Sequence, residues 1–436
     1  CVCSFFCFFP GKKTAMWYGA FDRARFQLHS SSKQSVQLNK TLGPIDLTLL
    51  GVGSSIGAGI FVFTGTEANK TGSSVVLAFG IAGLICAWNA LCFSELSCLF
   101  PESGSVYLYA YYGFGRLCAA VVGVNLLIDY HVGTASIARA LVNYGMHLAQ
   151  KAGWDNIPSW VLGKNGEDTS FISISVLAPV VLLLLTLLLS KGMKESSCIN
   201  NMLTGLKIAI VLLVIVAGAT KADSANYAPF LADGPSALFK AAGTLFFAYI
   251  GFDAVCNTAE ECKRPQRDLP LGILMSLLIC AVLYGGVSLV LCGLVPAADR
   301  ATPSFKDHPL DVGFELVGMN WVQIVIDIGA ICGLSTTLLV GLYSQARVYV
   351  AIARDGLLPS RFAQVSRQYH TPVAAQTFCC AVASVLALLL NVEKLSELLS
   401  IGLLLAYTVA CSAVLVLRMD AAQAVYLRQS SSGTLL

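Results

Sequence analysis

Ten apolar runs of about twenty residues follow one another through this chain, and that succession limits its fold more than any other feature. They lie near 45–66, 74–99, 114–145, 171–190, 197–219, 238–258, 270–295, 314–352, 372–391 and 395–417. In hydrocarbon a backbone must satisfy its own N–H and C=O groups, and runs of this length do so as α-helices. Only 12% of the 436 residues are charged, about half the share of a soluble domain. The expected fold class is therefore all-α and integral to a membrane, with the third and eighth runs long enough to project beyond it.

The cations give the orientation. With the N-terminus inside, eighteen of the 28 Lys and Arg fall on the inner side and nine on the outer, while Lys207 lies within the fifth run. Such a bias places both ends in the cytoplasm. Residues 1–41 read as a disordered cytoplasmic tail and 419–436 as a second tail. Between them, 42–219 and 220–418 form two halves of five helices each. Most of the sixteen cysteines sit in apolar runs, where a thiol acts as a small hydrophobe. No pair has CxxC spacing, so neither a metal site nor a redox motif is suggested, and no cofactor is expected.

Two of the runs are interrupted at their centres. "GVGSSIGAGIF" (51–61) places four glycines and two serines where a spanning helix needs strong helix formers. Each glycine costs a helix about 1 kcal/mol relative to alanine. The sixth run carries "TLFFAYIGFDAVCNTAEE" (244–261), in which Gly251 is followed by Asp253. Small residues of this kind can simply allow close helix packing. A second break at the matching place in the other half favours a ligand site. Because the halves run in opposite directions, the pattern is that of an inverted-repeat transporter with discontinuous helices. A broken helix offers free N–H groups on one side and free carbonyls on the other. Together they suit a carboxylate and an ammonium held on neighbouring atoms, as in an α-amino acid.

"GVGSSIGAGIFVFTG" followed by "ALCFSELSCLFPESGSVYLYAYYGFG" resembles the amino acid/polyamine/organocation superfamily. "LIDYHVGTASIARA" (127–140), "FFAYIGFDAVCNTAEECKRPQRDLPLGI" (246–273) and "GLSTTLLVGLYSQARVYVAIARDGLLP" (333–359) narrow the resemblance to the cationic amino acid transporter family. It covers about 42–418 and implies a LeuT-like 5+5 inverted repeat with helices 1 and 6 discontinuous. Within the unwound stretch Ser55–Ile56–Gly57–Ala58–Gly59, it implies that N–H groups of Ala58 and Gly59 bind the substrate carboxylate. Carbonyls of Ser55, Phe247, Ala248 and Ile250 would take its ammonium. Lys207 resembles the fifth-helix lysine of proton-coupled relatives, which stands in for a sodium ion against helix-one carbonyls and a hydroxyl of Ser335 or Thr336. Snorkelling to the headgroups is the alternative for Lys207. Asp129 stands where relatives usually carry Glu; it could attract a cationic substrate end, carry a proton, or pair with a backbone donor. His131, nearly opposite on the helix, reads as a packed histidine. Asp253, Glu260, Glu261, Lys263, Arg264, Arg267 and Asp268 are either a solvated inner loop or one half of a latch with Arg347 or Arg354.

The expected function is secondary active transport of amino acids, cationic by kinship, with protons as the coupled ion in a symport cycle. An amino-acid-binding sensor, or an inactive truncated transporter, is the alternative, since relatives commonly carry further C-terminal helices. An enzyme is disfavoured by the lack of HExxH or GxxxxGK[ST] and of a nucleophile–base pair in the spans. Two broken helices favour an occluding site over a continuous pore. The partners expected are an amino acid, protons and the lipid bilayer, with no nucleic acid. The plasma membrane is the first expectation for location, a vacuolar or other organelle membrane the second.

Overall fold

The computed structural model describes residues 40–57, 59–60, 64–151, 153, 175–190, 193–302, 305, 309–366, 371–390 and 400–432. Helices lie at each of the ten apolar runs. The first is divided into α1 (Pro44–Ser55) and α2 (Thr64–Thr71). Then come α3 (Val75–Leu99), a short inner helix α4 (Val106–Phe114), α5 (Arg116–Lys151), α6 (Leu177–Ser190) and α7 (Met193–Ala219). The sixth run is divided into α8 (Gly234–Leu245), a 3-10 turn at Phe246–Tyr249 and the single-turn α9 (Phe252–Cys256). The remainder comprises α10 (Pro265–Leu294), a short outer helix α11 (Pro309–Leu316), α12 (Asn320–Arg354), α13 (Val373–Leu389) and α14 (Ser400–Ser432). No strand occurs among the described residues; Leu42 and Cys262 form one isolated β-bridge.

Local chemistry explains the start of α1. Pro44 occupies its first turn, where a missing N–H costs nothing, and the Asp46 carboxylate accepts from the Gly43 N–H at 3.0 Å. From there α1 enters the middle of the bundle, touched by α7, α9, α10 and α12. Its run Gly51–Ser55 is buried throughout, as a helix wrapped on all sides must be. The second half stays with it, α10 packing along both α1 and α3.

The outer surface is apolar. On α5, Leu117, Val121, Val124 and Ile128 are exposed at helical spacing, and Leu84, Trp88, Leu183, Leu187, Leu278 and Val282 extend that surface over α3, α6 and α10. Such a belt would drive association in water and is the solvated face in lipid. With 36 residues, α5 is about 54 Å long, nearly twice the hydrocarbon thickness. The protein is a membrane protein. The tail expected over 1–41 falls outside the described residues except at Lys40 and Thr41. At the other end, α14 continues as helix to Ser432, past the apolar run that ends near Arg418.

Candidate substrate and coupling site

The first break begins where glycine and serine fail to hold α1. The last regular bond runs from the Ile56 N–H to the Val52 carbonyl at 3.0 Å, and Ile56 itself is extended. Beyond Val52 the carbonyls at this end therefore lack helical donors, and a helix C-terminus carries partial negative charge. Other helices supply the donors. Lys207 on α7 directs its Nζ to the carbonyls of Ile56 at 2.8 Å, Gly53 at 3.0 Å and Val52 at 3.5 Å. It also donates to Thr336 Oγ1 at 3.0 Å. Thr336 and Thr337 Oγ1 both lie within 3.1 Å of the Gly53 carbonyl. Ser335, on the same helix, has no described bond to the amine. Lys207 is fully buried, and no carboxylate is among the groups described around it. An amine enclosed in this way, spent on carbonyls and a hydroxyl inside the bundle, is not a lysine snorkelling to the headgroups.

The second break lies directly against the first. Ser54 Oγ is 2.9 Å from the Gly251 carbonyl and Ser55 Oγ is 3.5 Å from that of Tyr249. Gly59 leaves no room for a side chain, since a methyl group there would fall 2.7 Å from the Ala248 β-carbon. Gly251 has φ of 142°, a conformation open to glycine and strained for other residues. The Tyr284 hydroxyl on α10 spans both breaks, 2.8 Å from the Ser55 carbonyl and 2.7 Å from that of Ala248. The bonds described for Ser55 and Ala248 leave each carbonyl a further lone pair. Ile250 and the backbone of Phe247 belong to the same turn. Ala58 lies outside the described residues.

No hydrogen bond from either break to Asp129 occurs among the described residues. Its carboxylate rests on the α-carbon of Gly402 in α14, where a methyl group would collide with both oxygens, and Asn125 Nδ2 lies 3.4 Å away. The same Asn125 nitrogen donates to the Gly402 carbonyl at 2.7 Å. His131 is packed on another side, with Nε2 2.9 Å from the Tyr349 hydroxyl and its ring edge-on to Tyr349 and Phe378.

The inner charged stretch divides in two. Asp253 is buried and accepts from the Tyr130 hydroxyl at 2.8 Å, which in turn accepts from Asn257 Nδ2 at 3.2 Å. Glu260 pairs with Arg354 at 2.7 Å and accepts from the Ser103 N–H at 3.0 Å. Glu261 pairs with Arg347 at 2.8 Å, both about 1% exposed, and the guanidinium lies over the Tyr343 ring. The Glu261 carbonyl accepts from Thr41 and Leu42, and the Lys263 N–H donates to Leu42, all at 3.0 Å. The start of α1 is thus fastened to the loop after the second break. Lys263, Arg264 and Arg267 remain exposed.

Sequence reasoning missed Tyr284, Thr337 and Tyr130. Each is a hydroxyl at membrane depth, which needs a partner, and that was the available signal. No sequence pattern tells which partner it finds.

The model of the family described as amino acid permease matches residues 42–428. The chain is 46% identical over 420 residues to "Cationic amino acid transporter 9, chloroplastic" of Arabidopsis thaliana, covering 93% of this chain and 73% of that protein. It is 39% identical to the "Methylthioribose transporter" of Bacillus subtilis (strain 168), covering 91% and 85% respectively. It is 38% identical to the "Branched-chain amino acid permease BcaP" of the same organism, covering 87% and 81%. These relatives are named as transporters and permeases, not enzymes. With two facing helix breaks, a buried lysine on the freed carbonyls and a lipid-facing surface, the chain belongs to the amino acid permease family, within the amino acid/polyamine/organocation superfamily and homologous to its cationic amino acid transporters.

Proposed function

We propose that this protein is a secondary active transporter that carries amino acids, basic ones foremost, by alternating access and in symport with protons. The scaffold in this reading is the LeuT-like inverted repeat, 42–219 against 220–418. The substrate carboxylate meets the N–H groups of Ala58 and Gly59. Its ammonium meets the carbonyls of Ser55, Phe247, Ala248 and Ile250, with Ile56 and Gly57 completing the unwound wall. The ligand thereby supplies hydrogen bonds that both broken backbones lack. Asp129, set between α5 and α14, is the proposed acid for the cationic end of a basic substrate. The plasma membrane is the proposed location.

The observation that carries the coupling is Lys207 on the carbonyls of Val52, Gly53 and Ile56 with no acid beside it. While it is charged, it holds the C-terminal end of α1 to α7 and α12. Departure of its proton once α1 has tilted removes that hold, so α1 stays withdrawn until a proton returns, and proton and substrate act on the same helix end.

The test is uptake of labelled L-arginine and L-alanine into proteoliposomes of the purified chain, with and without a pH gradient, beside Lys207→Ala. The wild type is expected to accumulate substrate only with the gradient. The variant is expected to bind substrate yet lose gradient-driven accumulation. Accumulation by Lys207→Ala equal to wild type would overturn the coupling role. Saturable binding without accumulation by the wild type would make the protein a sensor.

A further inference from the structure

Lys207 is sealed inside the bundle, so a proton that leaves it needs a route. Asn200, Thr204 and Lys207 lie four and three residues apart on α7, one helical stripe about 10 Å long. All three are buried and face the same residue of α1. A methyl group on Gly53 would sit 2.7 Å from Thr204 Oγ1 and 3.0 Å from Asn200 Oδ1. The Gly53 carbonyl is one that Lys207 holds, at 3.0 Å. Neither Thr204 Oγ1 nor Asn200 Oδ1 has a hydrogen-bond partner in the structure. Next along the chain, Asn201 Nδ2 donates to Asp46 Oδ1 at 2.7 Å, in the first turn of α1 at its inner end.

Unpartnered polar atoms in a packed seam are costly, and the cost is relieved wherever a second state hydrates them. A tilt of α1 away from α7 would open this seam to water from the cytoplasmic side. We infer that Asn200 and Thr204 line a proton path, binding a short file of water between Lys207 and Asp46 when α1 withdraws. This rests on the proposed role of Lys207 as carrier of the coupled proton. In the step, one N–H bond of the Lys207 ammonium breaks and an O–H bond forms on the nearest water. Each water passes one proton on, and bulk water beyond Asp46 receives the last. The groups facing Lys207 are the thiols of Cys280 on α10 and Cys332 on α12, with Thr336; on the α1 side the path meets Gly53 and Asp46.

The experiment compares Thr204→Val, Asn200→Leu, Thr204→Ser and Lys207→Ala in proteoliposomes holding an entrapped pH dye. It reads substrate-linked proton flux and, at symmetric pH, exchange of labelled for unlabelled L-arginine. Thr204→Val and Asn200→Leu are expected to slow proton flux about tenfold while exchange stays within about twofold of wild type, and Thr204→Ser is expected to retain both. Wild-type proton flux in both apolar variants, with flux lost in Lys207→Ala, would overturn the path and leave the coupling role standing. Undiminished flux in Lys207→Ala would instead overturn the coupling role itself. Equal loss of exchange and flux would make the two residues packing elements and also overturn the path. Should Thr204→Val not assemble, Thr204→Ala is read by the same criteria.

Discussion

Breaking one partner of the buried Glu261–Arg347 pair is expected to open the inner side of the protein. Glu261 Oε1 accepts from Arg347 Nη2 at 2.8 Å and from Nε at 3.1 Å, and both side chains are about 1% exposed. In Glu261→Gln the guanidinium stays buried without its countercharge, which costs about 3–5 kcal/mol. The Tyr343 ring, 3.5 Å from the guanidinium carbon, faces the cation with or without the acid and leaves that cost unchanged. Opening would hydrate the stranded cation, so the penalty falls on the closed state alone. Even a net 3 kcal/mol shifts closed against open by about two orders of magnitude. Cys262 follows Glu261, is fully buried and forms the bridge to Leu42, which makes it an internal reporter. Its alkylation by a membrane-impermeant maleimide, applied to the inner face and read by peptide mass spectrometry, should accelerate about 100-fold in Glu261→Gln. Joint replacement, Glu261→Gln with Arg347→Met, removes the stranded charge and should bring the rate most of the way back. Unchanged Cys262 reactivity in Glu261→Gln, or a double variant as reactive as the single, would refute the argument.

Gly251→Ala should cost about 2–6 kcal/mol, combining strain at φ of 142° with collision at Ser54 Oγ and the Ser55 backbone nitrogen; thermal unfolding in detergent and uptake both check it. Tyr284→Phe removes the donor shared by the Ser55 and Ala248 carbonyls and should lower stability by about 1–3 kcal/mol, with a raised KM for substrate. On the outer side, burial and the facing Asp327 push the Asp311 carboxyl up to about 7 against the pull of Lys151. Its native value lies above its unfolded value of about 4, so the stability it lends is full below pH 4 and lost as pH rises through about 7. Thermal unfolding from pH 4 to 8 should show that decline for wild type and a flatter profile for Asp311→Asn.

Much of this was legible in the residues. The ten spans follow from apolar length, since a bilayer fixes how far a helix must reach. The two breaks follow from glycine and serine at membrane depth. Lys207 stood out because an ionisable group inside a span has few inexpensive positions. Asp129 was less legible: its location within a span is plain, but its approach to Gly402 depends on where α14 passes α5. The inner charges likewise read as a loop or a latch, and only the packing of α12 against the chain after α9 joined Glu261 to Arg347.

The sequence by itself determined that this chain is a bundle of apolar helices, that two of them fail at their centres, and which family they belong to. Those are properties of composition along one helix at a time, set by the solvent around it. Tertiary structure decided who meets whom: Lys207 with Ile56 from 151 residues away, Tyr284 with Ser55 from 229, Thr336 with Gly53 from 283. A helix that is apolar on every side carries little record of its own rotation, so the face it turns to a neighbour is fixed by packing. Once packed, the buried carbonyls accept whichever donors the neighbouring helices bring within reach.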